Sequence, residues 1–105
     1  MDPTVLHVTT QSRWDEARRA GSLRAETLDT VGFIHCATLA QLDGVLGRFF
    51  RGQTGLVVLH IEPAKLTSPL KYEPATDAPD LFPHVYGPIN VDAVNAVTAV
   101  KAPMA

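Results

Sequence analysis

The sequence lacks several features that would place it in a common class of protein. It contains a single cysteine, Cys36, so no disulfide can form within the chain. No apolar run approaches the roughly 20 residues that a membrane-spanning helix requires. The start of the chain has neither the basic nor the long apolar segment of an export signal. We therefore expect a cytoplasmic protein with no membrane partner.

Positive charge is also scarce. Lysine and arginine together number 9 against 11 acidic residues, a formal net charge of -2. Such a composition cannot neutralise many phosphates of a nucleic-acid backbone, so we expect no nucleic-acid partner. Serine nucleophile elbows, phosphate-binding loops and dinucleotide-binding glycine motifs are absent as well. These absences argue against kinases and dehydrogenases.

The chain does have enough apolar sequence for one core. Its 105 residues are 46% hydrophobic, which suits a single domain over residues 1–105. Helical periodicity is concentrated in the first half, whereas prolines and short apolar runs dominate the second half. We predict an α+β fold, a single compact domain with two main helices on a bent, mixed or antiparallel sheet of about five or six short strands.

Capping residues and breakers place the first elements. Residues 5–9 predict a strand, and Ser12 with Asp15 resembles a capping box that would begin a helix. Gly21 would end this helix. Asp15 and Arg19 have the spacing of an ion pair on its exposed side.

A second helix is predicted after a capping box of Thr38 and Gln41, because apolar residues recur at helical spacing as far as Phe50. Gly44 and Gly47 interrupt its interior at a cost of about 1 kcal/mol each relative to alanine. We therefore expect another backbone to approach the helix closely at these glycines.

The second half predicts short strands and single turns. Residues 56–61 form a nearly unbroken apolar run, typical of a central strand covered on both faces. Residues 70–73 alternate apolar and polar side chains, as an edge strand does. Single helical turns are predicted at 63–66 and 91–94, and a closing strand at 97–101.

Two histidine motifs are the strongest functional signal, residues 32–37 (GFIHCA) and 82–88 (FPHVYGP). Side chains alternate between the two faces of a strand. His84 and Tyr86 should therefore share a face, and His35 should point away from Cys36. We expect the two imidazoles and the phenol to converge on one pocket.

Each histidine also has a structural interpretation. A buried neutral imidazole needs a donor and an acceptor satisfied, yet it also titrates near neutrality, so it suits either a core polar network or proton transfer. We assign His60, in the apolar central strand, mainly to core or subunit packing. His7 can reach the pocket only if its strand neighbours that of His35. Cys36 is expected to be a small buried apolar residue.

Glu73 is the candidate carboxylate. It ends a predicted strand, and the proline-rich loop that follows returns the chain to His84, so the two side chains can meet. A solvated glutamate is the alternative. No two histidines have the close spacing usual for zinc ligands, so we predict no metal site and rank a metal-dependent hydrolase last.

The order of these features resembles the domain of unknown function 952 family over nearly the whole chain. The resemblance rests on a histidine in the first strand, Trp14, the motif GFIHC at 32–36, Gln41, Glu73 and the motif FPHVYGP at 82–88. The family commonly carries serine after the cysteine of the first motif. This chain has Ala37 there, followed by Thr38, which would have to supply the hydroxyl.

This family in turn resembles, remotely, the ADP-ribosyltransferase fold, whose members bind NAD in a cleft of a split, bent sheet. The resemblance implies that His35 contacts the ribose, Tyr86 stacks on nicotinamide and Glu73 steadies the ribose. A carboxylate would favour the transition state, because cleavage of the nicotinamide bond builds positive charge at the anomeric carbon. NAD is thus the cofactor that the resemblance implies.

The sequence therefore predicts a small-molecule partner, nucleotide-like or otherwise small and polar. The candidate catalytic residues are His35, His84 and Glu73, and the candidate ligand-binding residues are Tyr86, His7 and Thr38. The alternative is a non-catalytic binding or interaction module in which the histidines form a structural polar network. The sequence leaves the substrate and the oligomeric state open.

Overall fold

A computed structural model of the chain describes residues 4–75 and 78–100, which form eight strands, two main helices and several shorter turns. The strands are β1 Val5–Thr10, β2 Ser22–Leu23, β3 Ile34–His35, β4 Leu56–Ile61, β5 Leu70–Ala75, β6 Ala78–Val85, β7 Ile89–Asn90 and β8 Val94–Ala99. The helices are α1 Gln11–Ala20, α2 Thr27–Thr30 and α3 Leu42–Phe49, with single 3-10 turns at Leu39–Gln41, Pro63–Lys65 and Val91–Ala93. No helix among these residues is long and apolar enough to cross a membrane.

The fold is α+β, as predicted, but its strands are divided among three antiparallel sheets instead of one sheet of five or six. The sheets have the orders β1-β4-β8, β2-β7 and β3-β6-β5. The single turns lie where the sequence places them, and β5 is an edge strand as expected. The closing strand spans Val94–Ala99, three residues earlier than predicted at its start, and residue 101 lies outside the described residues.

The apolar run at 56–61 forms the middle strand of the first sheet, which confirms the prediction of a central strand. Its side chains alternate between two apolar clusters, one on each face of the sheet. Leu59 and Ile61 pack with Trp14 of α1, whereas Val58 packs with Leu46 of α3. The two main helices therefore cover opposite faces of β4.

The first helix begins at a different cap from the predicted one. Thr10 is the N-cap, and its Oγ1 accepts a hydrogen bond from the Arg13 N–H at 3.2 Å. The prediction of Ser12 is wrong because β1 runs directly into the helix, and the extended backbone of Thr10 already has the conformation that a cap requires. Gly21 ends the helix with φ 91°, as predicted.

Two further local predictions are wrong. Asp15 faces Arg18 at 4.0 Å, not Arg19, because the i,i+3 neighbour reaches the carboxylate on this helix. Within residues 4–75 and 78–100 no backbone approaches Gly44 or Gly47, since a Cβ built at either glycine would meet nothing within 4 Å. These two glycines therefore lower helix propensity without serving close packing.

The first and third sheets are joined by one isolated bridge. The Leu6 N–H donates to the Ala37 carbonyl and the Ala37 N–H donates to the Leu6 carbonyl, each at 2.8 Å. Ala37 follows β3, so this bridge sets β1 beside the first histidine motif. A cavity opens where the two segments no longer pair.

Candidate functional site

The pairing of β3 with β6 brings the two histidine motifs together. Their register sets His35 opposite His84 and Ile34 opposite Val85. Ile34 and Val85 are fully buried, so the alternation of the strands turns both imidazoles to the other face. The ring centroids of His35 and His84 lie 5.6 Å apart. The predicted convergence of these two histidines is therefore confirmed.

Phe33 is the aromatic centre of the site. Its ring stacks on His84 with a centroid separation of 4.0 Å and an interplanar angle of 23°. It also lies 4.9 Å from the His35 ring and 5.3 Å from the Tyr86 ring. Phe33 was not among the predicted site residues, although it lies two residues before His35 and strand alternation puts both side chains on one face.

Glu73 joins His84 to Tyr86. Its Oε1 accepts hydrogen bonds from His84 Nδ1 at 2.8 Å and from the Tyr86 hydroxyl at 2.5 Å. The predicted meeting of Glu73 and His84 is therefore confirmed. The bonds from Tyr86 and His84 hold the pKa of Glu73 below its usual value, and the same carboxylate raises the pKa of Tyr86. Glu73 is thus an ionised acceptor at neutral pH, and both partners donate to it.

This arrangement fixes which nitrogen of neutral His84 is free. Because an ionised carboxylate can only accept, Nδ1 carries the hydrogen, and Nε2 of the neutral ring has a lone pair. His84 is 6% exposed, and Nε2 has no hydrogen-bond partner among residues 4–75 and 78–100. In this part of the chain, every side-chain nitrogen or oxygen that solvent cannot reach has a hydrogen-bond partner. Nε2 of His84 therefore reaches solvent.

A cavity of about 620 Å³ adjoins these rings. Its volume lies in the range of pockets that hold small ligands. His7, His35 and His84 line it together with Phe33, and Arg48 of α3 is the charged side chain in its described wall. Most of the remaining wall is aliphatic or aromatic. The cavity thus has an apolar surface with three imidazoles and one cation.

Three of the predicted site residues are not part of the cavity wall that the structure describes. Tyr86 and Glu73 reach the site only through their contacts with Phe33 and His84. Thr38 has its N–H bonded to Gln41 Oε1 at 3.0 Å. The expectation that Tyr86 shares the pocket wall with the two histidines is therefore wrong. The phenol bonds to the Glu73 carboxylate instead of facing the cavity.

His7 was expected to reach the pocket only if its strand neighbours that of His35. The Leu6–Ala37 bridge sets β1 beside the His35 segment, so this condition is met. Its Nδ1 lies 2.8 Å from the His35 carbonyl oxygen, which can only accept, so Nδ1 donates. His7 is 8% exposed and lines both the large cavity and a second one of about 220 Å³. Burial lowers the pKa of His7. The pKa of His35 is also lowered, mainly by desolvation and to a smaller extent by the neighbouring His84 ring.

Gln41 connects the first motif to β6. Its Oε1 accepts from the Thr38 N–H, and its Nε2 donates to the Leu81 carbonyl at 2.8 Å. The predicted capping box of Thr38 and Gln41 is confirmed, although the helix opens with a 3-10 turn. This side chain therefore supports the juxtaposition of the two histidine strands.

The remaining histidine and the cysteine take no part in the network. His60 is half-buried rather than in the core, and its Nε2 lies 3.0 Å from the Thr98 hydroxyl of β8, while packing against another subunit stays a prediction. Cys36 is 6% exposed, and burial raises the pKa of its thiol far above the usual value. A protonated thiol is a poor nucleophile, so Cys36 serves as an apolar wall residue.

No three potential ligands among the described histidines, cysteines and carboxylates could hold a metal ion.

Acidification is expected to lower stability through His7. Its folded-state pKa lies below the ordinary 6.5, so the unfolded chain binds the proton more readily. The stability that neutral His7 confers is full above pH 6.5 and is lost as the pH falls through its folded-state pKa. Glu73 does not contribute in this window, because its lowered pKa lies below 4.5.

Urea denaturation at about pH 7.5 and about pH 5.5 measures this effect. The free energy of unfolding should fall at the lower pH, and it should fall less in His7→Asn, which lacks the titrating ring. An equal fall in both proteins would contradict the assignment to His7.

The chain is a small α+β domain whose described strands form three antiparallel sheets. The chain belongs to the family described as Protein of unknown function (DUF952), whose model matches residues 8–97. The crystal structure of protein CC0527 from Caulobacter crescentus is similar, with a TM-score of 0.84 and 28% identity over 93% of this chain and 86% of that chain. The solution NMR structure of CC0527 gives a TM-score of 0.79 and 30% identity over 92% and 84% of the two chains. No curated protein matches the chain.

Proposed function

We propose that this chain binds a small polar ligand with a planar ring, such as a nucleotide, in the large cavity, and that His84 exchanges a proton with the ligand. One observation carries this proposal. Glu73 holds Nδ1 of His84 at 2.8 Å, while Nε2 of the same ring reaches solvent at a cavity that His84 lines.

The chemistry follows from the tautomer. Nε2 of neutral His84 can accept a proton from a ligand hydroxyl or ring N–H. The resulting imidazolium keeps its Nδ1–H bond to the Glu73 carboxylate, which stabilises the positive charge. The Tyr86 hydroxyl shares the same carboxylate oxygen and keeps it oriented. Stacking on Phe33 limits rotation of the His84 ring.

The cavity wall suits a ligand with a planar ring and polar substituents. Phe33, Phe49 and Phe82 offer aromatic surface, and Arg48 offers a cation for a phosphate or carboxylate. The guanidinium has five N–H donors, so it can bind a ligand anion while it keeps another partner. These features support a nucleotide as the first ligand class to test.

For the NAD-dependent transfer implied by the family resemblance, the roles have to be redistributed. His35 lines the cavity and keeps the role of a ribose contact. Glu73 would act through His84 rather than on the ribose, because it bonds to His84 and Tyr86 and is not part of the described cavity wall. We accordingly propose NAD as a ligand to be tested and ADP-ribosyl transfer as the reaction to assay once binding is measured.

A non-catalytic module is the second candidate, and one observation favours it. His84 is 6% exposed, and its bond to Glu73 links β6 to β5 while Tyr86 adds a third group to the network. Such a network could serve mainly to hold the third sheet together. Binding and stability measurements on the same variant separate these two functions.

Thermal denaturation in the presence of NAD, ADP-ribose or AMP tests the proposal. A ligand at about 100 times its Kd stabilises the folded protein by about 2.7 kcal/mol, which should raise Tm by several degrees. Val45→Trp, in the half-buried wall formed by α3, should fill the cavity and remove the shift. Asp43→Ala, on the exposed side of the same helix, should keep it. An unchanged Tm with all three saturating compounds would overturn the proposal.

A further inference from the structure

The outer edge of β8 lacks the features that usually keep a strand edge from pairing. β8 ends the order β1-β4-β8, and no described strand lies beyond it. Residues 95–99 are exposed, including Val97 at 38%. The strand reads VNAVTA, with neither a charged residue nor a proline. Natural proteins usually protect an edge with such residues, because its free N–H and C=O groups otherwise pair with another chain.

Two other strand edges of the molecule are protected in this way. β5, at the edge of the third sheet, contains Lys71, Glu73 and Pro74. The outer edge of β1 is bonded to Ala37 at Leu6. Charge, proline or a neighbouring segment thus limits pairing at these edges. The unprotected edge of β8 therefore points to a partner strand.

The register of β8 on β4 shows which main-chain groups face outward. The Val100 N–H donates to the Leu56 carbonyl at 3.0 Å, so Val100 directs its main-chain groups inward. Alternate residues of a strand direct their N–H and C=O to the same side. Thr98 therefore also bonds to β4, whereas Val97 and Ala99 direct their N–H and C=O away from the sheet.

The regular part of this ladder has Thr98 at its centre. Pairing with β4 runs from Ala96 to Val100, and a register shift ends the regular pattern just before Ala96. The strand over 96–100 is therefore symmetrical about Thr98, with one outward-directed residue on each side. A second copy of the strand, related by a two-fold axis at Thr98, presents matching donors and acceptors.

We propose that β8 pairs antiparallel with β8 of a second copy of this chain, in the register that sets Thr98 opposite Thr98 of the partner subunit. The Val97 N–H donates to the carbonyl of Ala99 of the partner subunit, whose N–H donates to the Val97 carbonyl. The two-fold axis repeats both bonds. The two three-stranded sheets then form one continuous sheet across the dimer.

The side chains along the contact suit a copy of the same strand. An uncharged strand meets itself without repulsion, and paired threonines are favourable neighbours across a sheet. The Thr98 hydroxyl lies 3.0 Å from His60 Nε2, so His60 borders the contact. Every other residue of β4 is buried. The proposed dimer thus gives half-buried His60 the subunit packing that its sequence position predicts.

Sedimentation of the full chain measures the association. A ladder of about five residues a side falls short of a standard interface of about 1,600 Å², so we expect a weak dimer with a Kd between about 10 µM and 1 mM. The mean mass should rise from one chain toward two as the concentration approaches about 1 mM. A mass of one chain at that concentration would overturn the inference. A mass beyond two chains would also overturn it, because a two-fold pair is closed.

Charge substitutions at Thr98 test the register. A residue at the two-fold axis meets its own copy, so Thr98→Lys and Thr98→Glu should each raise the Kd at least about tenfold. An equal mixture of the two variants should form a heterodimer at least as tight as the unaltered dimer, because opposite charges then meet. A mixture that associates no better than either variant alone would contradict the inference.

Two controls accompany these variants. Thr98→Val also loses the hydroxyl that bonds to His60, but it stays uncharged and β-branched, so it should dimerise like the unaltered chain. Leu81→Lys replaces an exposed leucine of the third sheet with the same charge, and it should dimerise normally as well. Loss of the dimer in either control would assign the association to another surface and overturn the inference.

Hydrogen exchange of the unaltered protein provides a test that needs no variant. The N–H groups of Val97 and Ala99 should exchange several-fold more slowly at about 1 mM than at about 10 µM, because the partner strand bonds them. The Thr98 N–H, bonded within the sheet, should show no such dependence. Exchange at Val97 that is independent of concentration would overturn the inference. The result does not bear on the proposed function, since β8 contributes no residue to the described wall of the large cavity.

Discussion

His84→Asn should weaken binding of the nucleotide probes on the order of a hundredfold and lower the free energy of unfolding by no more than about 2 kcal/mol. Asparagine can place its Nδ2 near the position of Nδ1 and keep a donor for Glu73 Oε1. It removes Nε2, the nitrogen that reaches solvent, and the ring that stacks on Phe33. Binding should therefore suffer far more than folding. Calorimetric titration and urea denaturation of the same preparation measure the two effects.

His60→Asn is the matched control, since His60 bonds to Thr98 away from the cavity. We expect its binding to equal that of the unaltered protein. If His84→Asn were to lose most of its folding free energy while its folded fraction bound normally, the site would be a structural network and the non-catalytic module would be favoured.

Gly87→Ala is expected to destabilise the fold by about 2–3 kcal/mol or more. Gly87 has φ 155°, a conformation that residues with a Cβ rarely adopt. A Cβ there would overlap Ser68 Oγ and lie 2.9 Å from Ser68 Cβ. Ser68 cannot easily move, because its hydroxyl donates to the Pro88 carbonyl at 2.7 Å. The neighbouring Tyr86, held by the Pro69 carbonyl through its N–H at 2.8 Å, should also be displaced.

Gly44→Ala provides the comparison in the same chain. Gly44 lies exposed in α3, and an added Cβ meets nothing within 4 Å in the part of the chain that the structure describes. Alanine should raise the free energy of unfolding by roughly 0.5–1 kcal/mol through helix propensity. Chemical denaturation of both variants measures the contrast. A Gly87→Ala protein as stable as the unaltered chain would contradict the crowding at Ser68.

Local patterns in the sequence predicted much of the site because strand alternation is a local property. The motif at 32–37 predicted that His35 points away from a buried Cys36, and Cys36 is buried as alternation requires. The apolar run at 56–61 similarly predicted the central strand. The meeting of Glu73 with His84 was predicted from a proline-rich loop between them, whereas β5 extends to Ala75 and β6 begins at Ala78, so strand pairing brings the two residues together.

Features that depend on distant pairing were not predictable in this way. The two-residue strands β2 and β7 pair across 65 residues of chain or more, so the division into three sheets left no periodic signal. The bond from His7 to the His35 carbonyl depends on one bridge, and the orientation of Tyr86 depends on which oxygen of Glu73 it meets. Thr10 and Ser12 lie two residues apart, and the end of β1 at Thr10 decided which of them caps the helix.

The electrostatic design of the site links these elements. An ionised Glu73 fixes the hydrogen of His84 on Nδ1 without itself contacting the cavity, and Phe33 holds the imidazole plane. A carboxylate in this position orients the imidazole and stabilises its protonated form. Glu73 is therefore a positioning residue in the proposed function. In the proposed function, the rings of His84 and His35 contact the ligand.

Nitrogen-15 NMR of the imidazole rings tests the central claim most directly. At a pH where the rings are neutral, we expect Nδ1 of His84 to carry the hydrogen and Nε2 to be unprotonated. Saturating ADP-ribose should shift the Nε2 resonance of His84 and leave that of His60 unchanged. A hydrogen on Nε2 of neutral His84, or an Nε2 resonance that does not move when ADP-ribose is saturating, would contradict a carboxylate-oriented histidine that meets a ligand in this cavity.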